Sequence, residues 1–350
     1  MKFRKPLLAA LMVAVLTPAA AFAKEDAHEL LTKSFQQADV WTQGPVKLVA
    51  NVSLPKPDGG EVNVDYTISW AGPDKWRAEW SAQGLQQVTV LNNGKLSFFT
   101  NQTAPLVWAM LFESALATLD GGNPAGPYIS MPPLDWQKAK FDTSKKKIGG
   151  ADARCLAWGQ PTETLCIDPA NAHLLTADSG FTTYEYADYT TAGNNAYPQS
   201  VKVSFSKQVL VQGKVTVTHG DKFADTLFTA PDKSTTRDYA SCADPSANYT
   251  APHLNKPVEP KMPEQAKKDK KYGLVWVQPL VGKDGSVQKS TVLGGDPALS
   301  SAATDAVQQY KYTPYTRCGQ AVEFQQLVIV PFLPPRPQPG QSPADLAGKP

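Results

Sequence analysis

Histidine, cysteine and net charge are all in short supply in this chain. The four histidines, His28, His173, His219 and His253, stand in no zinc-type spacing and beside no nucleophile motif. There is no G-x-S-x-G elbow and no Walker loop. A triad assembled from distant residues would leave no local signature, but nothing meets the first tests for a catalytic site. The expectation is a protein that is not an enzyme, with no cofactor and no metal. Lysine and arginine number 34 against 32 acidic residues, a net charge of +2. That balance gives no global attraction to nucleic acid or to an anionic membrane. The basic run "KKDKK" at 267–271 reads as a solvated helix end.

Beyond the start, no stretch is long and apolar enough to span a bilayer. Lys2, Arg4 and Lys5 precede the apolar stretch from Leu7 to Leu16, and Ala21-Phe22-Ala23 is a small-x-small site. The pattern predicts a secretory signal peptide over residues 1–23. Its apolar core is short of the ~20 residues that a spanning helix needs. Cleavage after export is therefore expected; an uncleaved segment would be an inner-membrane anchor. Cleavage removes three positive charges and no negative ones, leaving the mature chain close to neutral.

The cysteines are Cys155, Cys166, Cys242 and Cys318, an even count with no C-x-x-C. In an exported chain this favours disulfides over metal or redox chemistry. Cys155 and Cys166 flank "LAWGQPTETL", whose Gly159-Gln160-Pro161 turn folds two strands together. Cys242 and Cys318 then pair by default.

The chain's length predicts two domains. Ala27, Leu30, Leu31, Phe35 and Ala38 recur at helical spacing. Period-two strands follow: Val46 to Leu54, Val62 to Trp70, and "KWRAEWSA" with Trp76, Ala78 and Trp80 on one face. "QVTVL" and "KLSFF" flank the turn Asn92-Asn93-Gly94. Such short turns make an antiparallel meander. "PLVWAMLFESALATL", 105–119, predicts a helix apolar on nearly all sides, either buried or covering an apolar cavity. Further strands lead to "FADTLFTAP" at 223–231. The fold class read from this is α+β: an N-terminal curved antiparallel sheet with helices over 24–240 and a linker over 241–260. A small C-terminal domain over 261–333 and a Pro-rich disordered tail over 334–350 complete it.

The order of elements, the hairpin from "FDTSKKKIGGADARCLAWG" to "ETLCID", and the closing "FADTLFTAP" resemble the LolA/LolB-like half-barrels. That resemblance implies an exported carrier whose curved sheet holds acyl chains of a lipid or lipoprotein. Trp70, Trp76, Trp80, Phe98, Leu106, Trp108 and Leu111 would line its cavity. The competing reading is that these side chains simply fill a core.

The C-terminal region carries a sharper pattern. "YGLVWVQPLV" alternates, Asp284-Gly285 signals a two-residue hairpin, and "VQKSTVL" returns. Asp296 then caps a helix with Pro297 at its first position. Leu299, Ala302, Ala303, Ala306, Val307 and Tyr310 share one helix face. Thr313-Pro314 stops the helix, and "VEFQQLVIVPFL" is the last strand, giving ββαβ.

The entry Pro260 to Ala266, Gly273, Asp284-Gly285, Ala302-Ala303, Tyr312, Pro314, Gly319 and the closing Leu327 to Phe332 resemble the C-terminal domain of the TonB family, over residues of about 258–333. Met262 stands where that family usually has Tyr. The resemblance implies protein binding: an extended segment of an outer-membrane or periplasmic protein added beside the sheet. The last strand, Glu323, Phe324, Gln325, Gln326, Leu327, Val328, Ile329 and Val330, is the expected edge, because Pro279 makes the first strand a poorer template. A retained spanning helix and a long Pro-rich spacer, which the family's energy transducers have, do not match this chain. The expectation is a periplasmic adaptor in envelope transport, alternatively a lipid or lipoprotein carrier acting through the first domain.

Overall fold

The computed structural model describes residues 26–334, apart from 56–60, 102–106, 124–125, 129–135, 160–161, 180–181, 206–207 and 241–247. The expectations placed on residues 1–23, on Leu106, on Cys242 and on the tail from 335 fall outside the described residues.

Helix α1 (Ala27–Ala38) begins at Asp26, whose carboxylate accepts from the His28 amide at 3.0 Å. Its periodic Leu30, Leu31, Phe35 and Ala38 are buried. Strands β1 (Val46–Pro55), β2 (Glu61–Gly72), β3 (Lys75–Ala82), β4 (Leu85–Asn92) and β5 (Lys95–Thr100) follow as antiparallel neighbours. At the β4–β5 turn Asn93 and Gly94 both take positive φ, 50° and 69°, the geometry that matches strand twist.

After α2 (Val107–Leu119) come β6 (Asp142–Ile148), β7 (Ala151–Trp158), β8 (Glu163–Ile167), β9 (Leu174–Ser179), β10 (Thr182–Ala192), β11 (Asn195–Phe205) and β12 (Gln208–His219). Strand β12 returns to pair with β1, from Val46↔His219 to Ser53↔Gln212. A short β13 (Thr235–Asp238) adds beside β5. The result is one antiparallel sheet of 13 strands, in the order β13-β5-β4-β3-β2-β1-β12-β11-β10-β9-β8-β7-β6. At the β6 end Lys145, Lys146 and Lys147 are all exposed, charge that discourages pairing with another chain. Cys155 on β7 lies directly opposite Cys166 on β8, and the two form a disulfide as expected.

The sheet curves around α2. Trp80 on β3 donates to Glu113 at 2.8 Å, and Tyr186 on β10 donates to the Ala115 carbonyl at 2.7 Å. On a flat sheet β3 and β10 would lie roughly 24 Å apart, at about 4.8 Å per strand. One short helix touches both because the strands wrap round it, which makes the domain a half-barrel.

The C-terminal domain contains β14 (Leu254–Lys256), α3 (Glu264–Lys268), β15 (Gly273–Val281), β16 (Val287–Gly294), α4 (Pro297–Val307), β17 (Lys311–Tyr312), β18 (Thr316–Arg317), β19 (Gln320–Ala321), β20 (Phe324–Gln325) and β21 (Val328–Phe332). Asp296 caps α4, accepting from the Ala298 amide at 2.8 Å. Leu299, Ala303 and Val307 are buried in one cluster with Val275 and Val277 of β15. Gly285 has φ 76°, and a Cβ there would lie 2.0 Å from the Tyr312 carbonyl oxygen, so the hairpin needs glycine twice over.

One expectation is corrected here. The Pro279 strand is not an edge: β15 is central, with β16 on one side and β20 and β21 on the other. Gln278 and Pro279 face the gap between Gln325 and Val328, where the last strand breaks in two. Proline offers no N–H to a neighbour, so the ladder is interrupted where it stands.

Candidate functional site

Helix α2 is apolar on most of its surface, and it is covered on two sides. Toward the sheet, Phe112 packs edge-on against Tyr66 and Trp80, with centroids at 6.2 and 5.8 Å. Toward the C-terminal domain, Met110 Sδ accepts from Gln278 Nε2 at 3.2 Å, and Trp108 meets Trp276 at 6.5 Å. Val275 and Val277 point into their own domain's core. Trp276 and Gln278, of the opposite strand parity, reach across to the half-barrel. A second seam is made by Arg317, which is fully buried. Its guanidinium donates to the carbonyls of Ala240 and Pro73 and lies 5.0 Å over the Tyr239 ring.

Beside this junction lies a cleft of about 570 Å3. Helix α2 contributes Leu111, Ser114, Ala117 and Thr118. Strands β8 to β10 contribute Leu165, Ala177 and Tyr184. The facing wall is the end of the C-terminal domain: Leu327, Val328, Ile329 and Pro331, with Tyr310 and Tyr312. Gln326 donates to the Tyr312 hydroxyl at 2.7 Å. The polar rim holds Glu163, which accepts from Ser179 at 3.0 Å and whose carboxyl is pushed up by burial.

The last strand meets the cleft edge-on. Val330 and Phe332 are buried in the domain core and Val328 packs against it, while Ile329 has the other parity. Residues of both parities line the cleft, which one face of a strand cannot do and its edge can. Among the described residues the last strand pairs with β15 alone.

The expected edge residues do not behave alike. Glu323 pairs with Arg237 at 3.3 Å. Phe324 is buried in the C-terminal core, and Gln325 pairs with Leu280. Leu327 packs against the half-barrel's core cluster. Of the expected cavity residues, Leu111 reaches the cleft. Trp70, Trp76 and Trp80 are buried in the main core; Trp80 stacks on Tyr66 at 4.3 Å and Trp70 meets Trp41 at 6.0 Å. Phe98 is half-buried on β5, and Trp108 faces Trp276. Leu165, Ala177 and Tyr184 carried no signal beyond their place on alternating strands. Trp276 did: a tryptophan on the outer parity of a small sheet needs cover.

The order of strands, the capped α4 and the Asp284–Gly285 turn are now joined by a direct comparison. Residues 258–333 match the family model described as Gram-negative bacterial TonB protein C-terminal. The TonB-type domain is thus the part of the chain that carries the cleft's edge wall. The half-barrel region is similar to solved structures at low identity. A LolA superfamily protein from Nitrosomonas europaea has 13% identity and a TM-score of 0.40, covering 58% of this chain and 97% of its own. A DUF1329 family protein from Desulfovibrio piger has 9% identity and a TM-score of 0.40, covering 58% and 96%. No curated protein matches the chain. Among the described residues no helix is long and apolar enough to cross a membrane.

Glu113 gives a testable pH dependence. It accepts from Trp80 Nε1 and is also bonded to Tyr66. Some of its surface still meets solvent, yet the protein around it solvates a charge poorly, and burial raises its carboxyl to about 7. The folded state therefore binds more protons than the unfolded chain between the usual glutamate range and about pH 7. Stability from this group is fully present below that window and is lost as pH rises through it. Thermal melting should fall from pH 5 to pH 8, and Glu113→Gln should flatten that slope. An unchanged slope in the variant would refute the assignment.

Proposed function

We propose that this is a non-enzymatic protein of the cell envelope, exported to the periplasm. Its TonB-type domain takes up an extended strand of an outer-membrane or periplasmic partner during envelope transport. The observation that carries the reading is the one-sided pairing of the last strand. An unpaired edge presents N–H and C=O groups that a guest strand satisfies, and main-chain bonding supplies the affinity. The expected contact residues are Leu327, Val328, Ile329 and Val330, with Gln326 at the break. Metal, cofactor and nucleic acid have no part in this reading. Hydrogen exchange tests it: a bound extended peptide should slow exchange at residues 327–332.

A second reading is that of a lipid or lipoprotein carrier, favoured by the apolar cleft wall of Leu111, Leu165 and Ala177. An acyl chain would need that wall but not the strand edge.

A further inference from the structure

The cleft has two walls of different chemistry, and they come from different domains. One is a backbone edge; the other, on α2 and β8 to β10, sets the apolar Leu111, Leu165 and Ala177 among the hydroxyls of Ser114, Thr118, Ser179 and Thr182 and the carboxylates of Glu163 and Asp178. A strand added beside β21 lies about 4.8 Å from it. That places the added strand within the cleft, against the half-barrel. The five residues of β21 span about 17 Å at roughly 3.4 Å each. A guest of similar length has two or three side chains on each face. Those turned toward Leu111, Leu165 and Ala177 meet apolar atoms, and a charged side chain there would lose its water.

Resting on the strand-addition reading, we propose that the two domains form one composite site. The TonB-type domain holds the guest's backbone while the half-barrel reads its side chains. The guest is an extended peptide with apolar residues at alternate positions. The half-barrel is thus the source of selectivity, because backbone bonding alone accepts nearly any sequence without proline. The arrangement also accounts for the docking of the domains through Trp276, Gln278 and Arg317, which keeps the two walls in register.

The probe is a fluorescein-labelled decapeptide alternating Val or Leu with Ser or Thr, compared with an isomer that has the same residues in blocks. Anisotropy is read with the mature full chain and with Ser179→Trp and Thr118→Trp. These two positions line the cleft from the half-barrel and are only partly buried, so the larger side chain narrows the cleft without invading the core. Ser179→Thr and Thr118→Ser, which keep the hydroxyls that donate to Glu163 and to the Ser114 carbonyl, are the controls. The alternating peptide should bind at least tenfold more tightly than its isomer. Each tryptophan variant should weaken it at least tenfold, with melting unchanged and the controls binding as the parent does. Two further peptides, N-methylated on alternate residues in the two possible sets, separate the claims. Strand addition requires that one set loses binding and the other keeps it. If that holds but the tryptophan variants bind like the parent, or the blocked isomer binds equally well, the composite site is overturned and strand addition stands. If neither N-methylated set loses binding, or the alternating peptide is not bound, strand addition falls as well. Binding of palmitate in place of any peptide would assign the cleft to a lipid and overturn the proposal.

Discussion

Phe112→Ala is expected to destabilise the half-barrel domain by about 3 to 5 kcal/mol, the range for deleting a fully buried aromatic. The ring is 0% exposed and lies edge-on to both Tyr66 and Trp80. Below it β12 carries Gly213, where a Cβ would come within 2.6 Å of the ring. The glycine is what lets α2 approach the strand so closely, so helix and sheet have few ways to collapse into the vacated space. Gly213→Ala alone should also destabilise, by overpacking. In the Phe112→Ala background the same methyl has room, so the double variant should lose clearly less than the two single losses added together. Urea unfolding measures all three. A loss below 1 kcal/mol for Phe112→Ala would contradict the packing of α2 in the sheet's hollow.

The second large effect is expected at Arg317. Its fully buried guanidinium ties the TonB-type domain to the carbonyl of Pro73 in the β2–β3 turn and to that of Ala240 after β13. Hydrogen bonds to a charged group contribute roughly 1.5 to 3 kcal/mol each, and removal strands buried acceptors. Arg317→Ala should therefore cost about 3 kcal/mol or more and expose the segment between the domains to limited proteolysis. Arg317→Lys should recover only part, since an ammonium lacks the planar fork that meets two carbonyls while stacking on Tyr239. Proteolysis patterns identical to the parent would mean that the domains are held elsewhere, at Trp276 and Gln278.

Much of this architecture is legible in particular residues. Alternation in Val46 to Leu54 and Val62 to Trp70 announces the meander. Asp296-Pro297 announces α4, and Asp284-Gly285 the hairpin before it, although three residues, Lys283 to Gly285, rather than two separate the last bonded pair, Gly282 and Ser286. Cys155 and Cys166 could be paired because the intervening turn sets their register. Each of these is a local signal, written within a dozen residues. The central place of β15 was not legible, since Pro279 argues locally for an edge and only the broken last strand shows how the ladder tolerates it. The cleft was not legible either. Leu111, Leu165 and Leu327 come from three distant segments, and contact between domains leaves no period in the chain. The aromatic residues of β2 and β3 show why composition alone misleads about a cavity. Trp76 and Trp80 are as apolar as a ligand site requires, and they lie buried in the main core.

The central claim is that the last strand is a template for a guest strand. Amide hydrogen exchange of the mature protein, with and without the alternating decapeptide, tests it most directly. The account predicts slowed exchange on alternate amides of residues 327–332, Pro331 having none, with β16 unchanged. Protection of β16 instead, or bound peptide with no protection of the last strand, would contradict it.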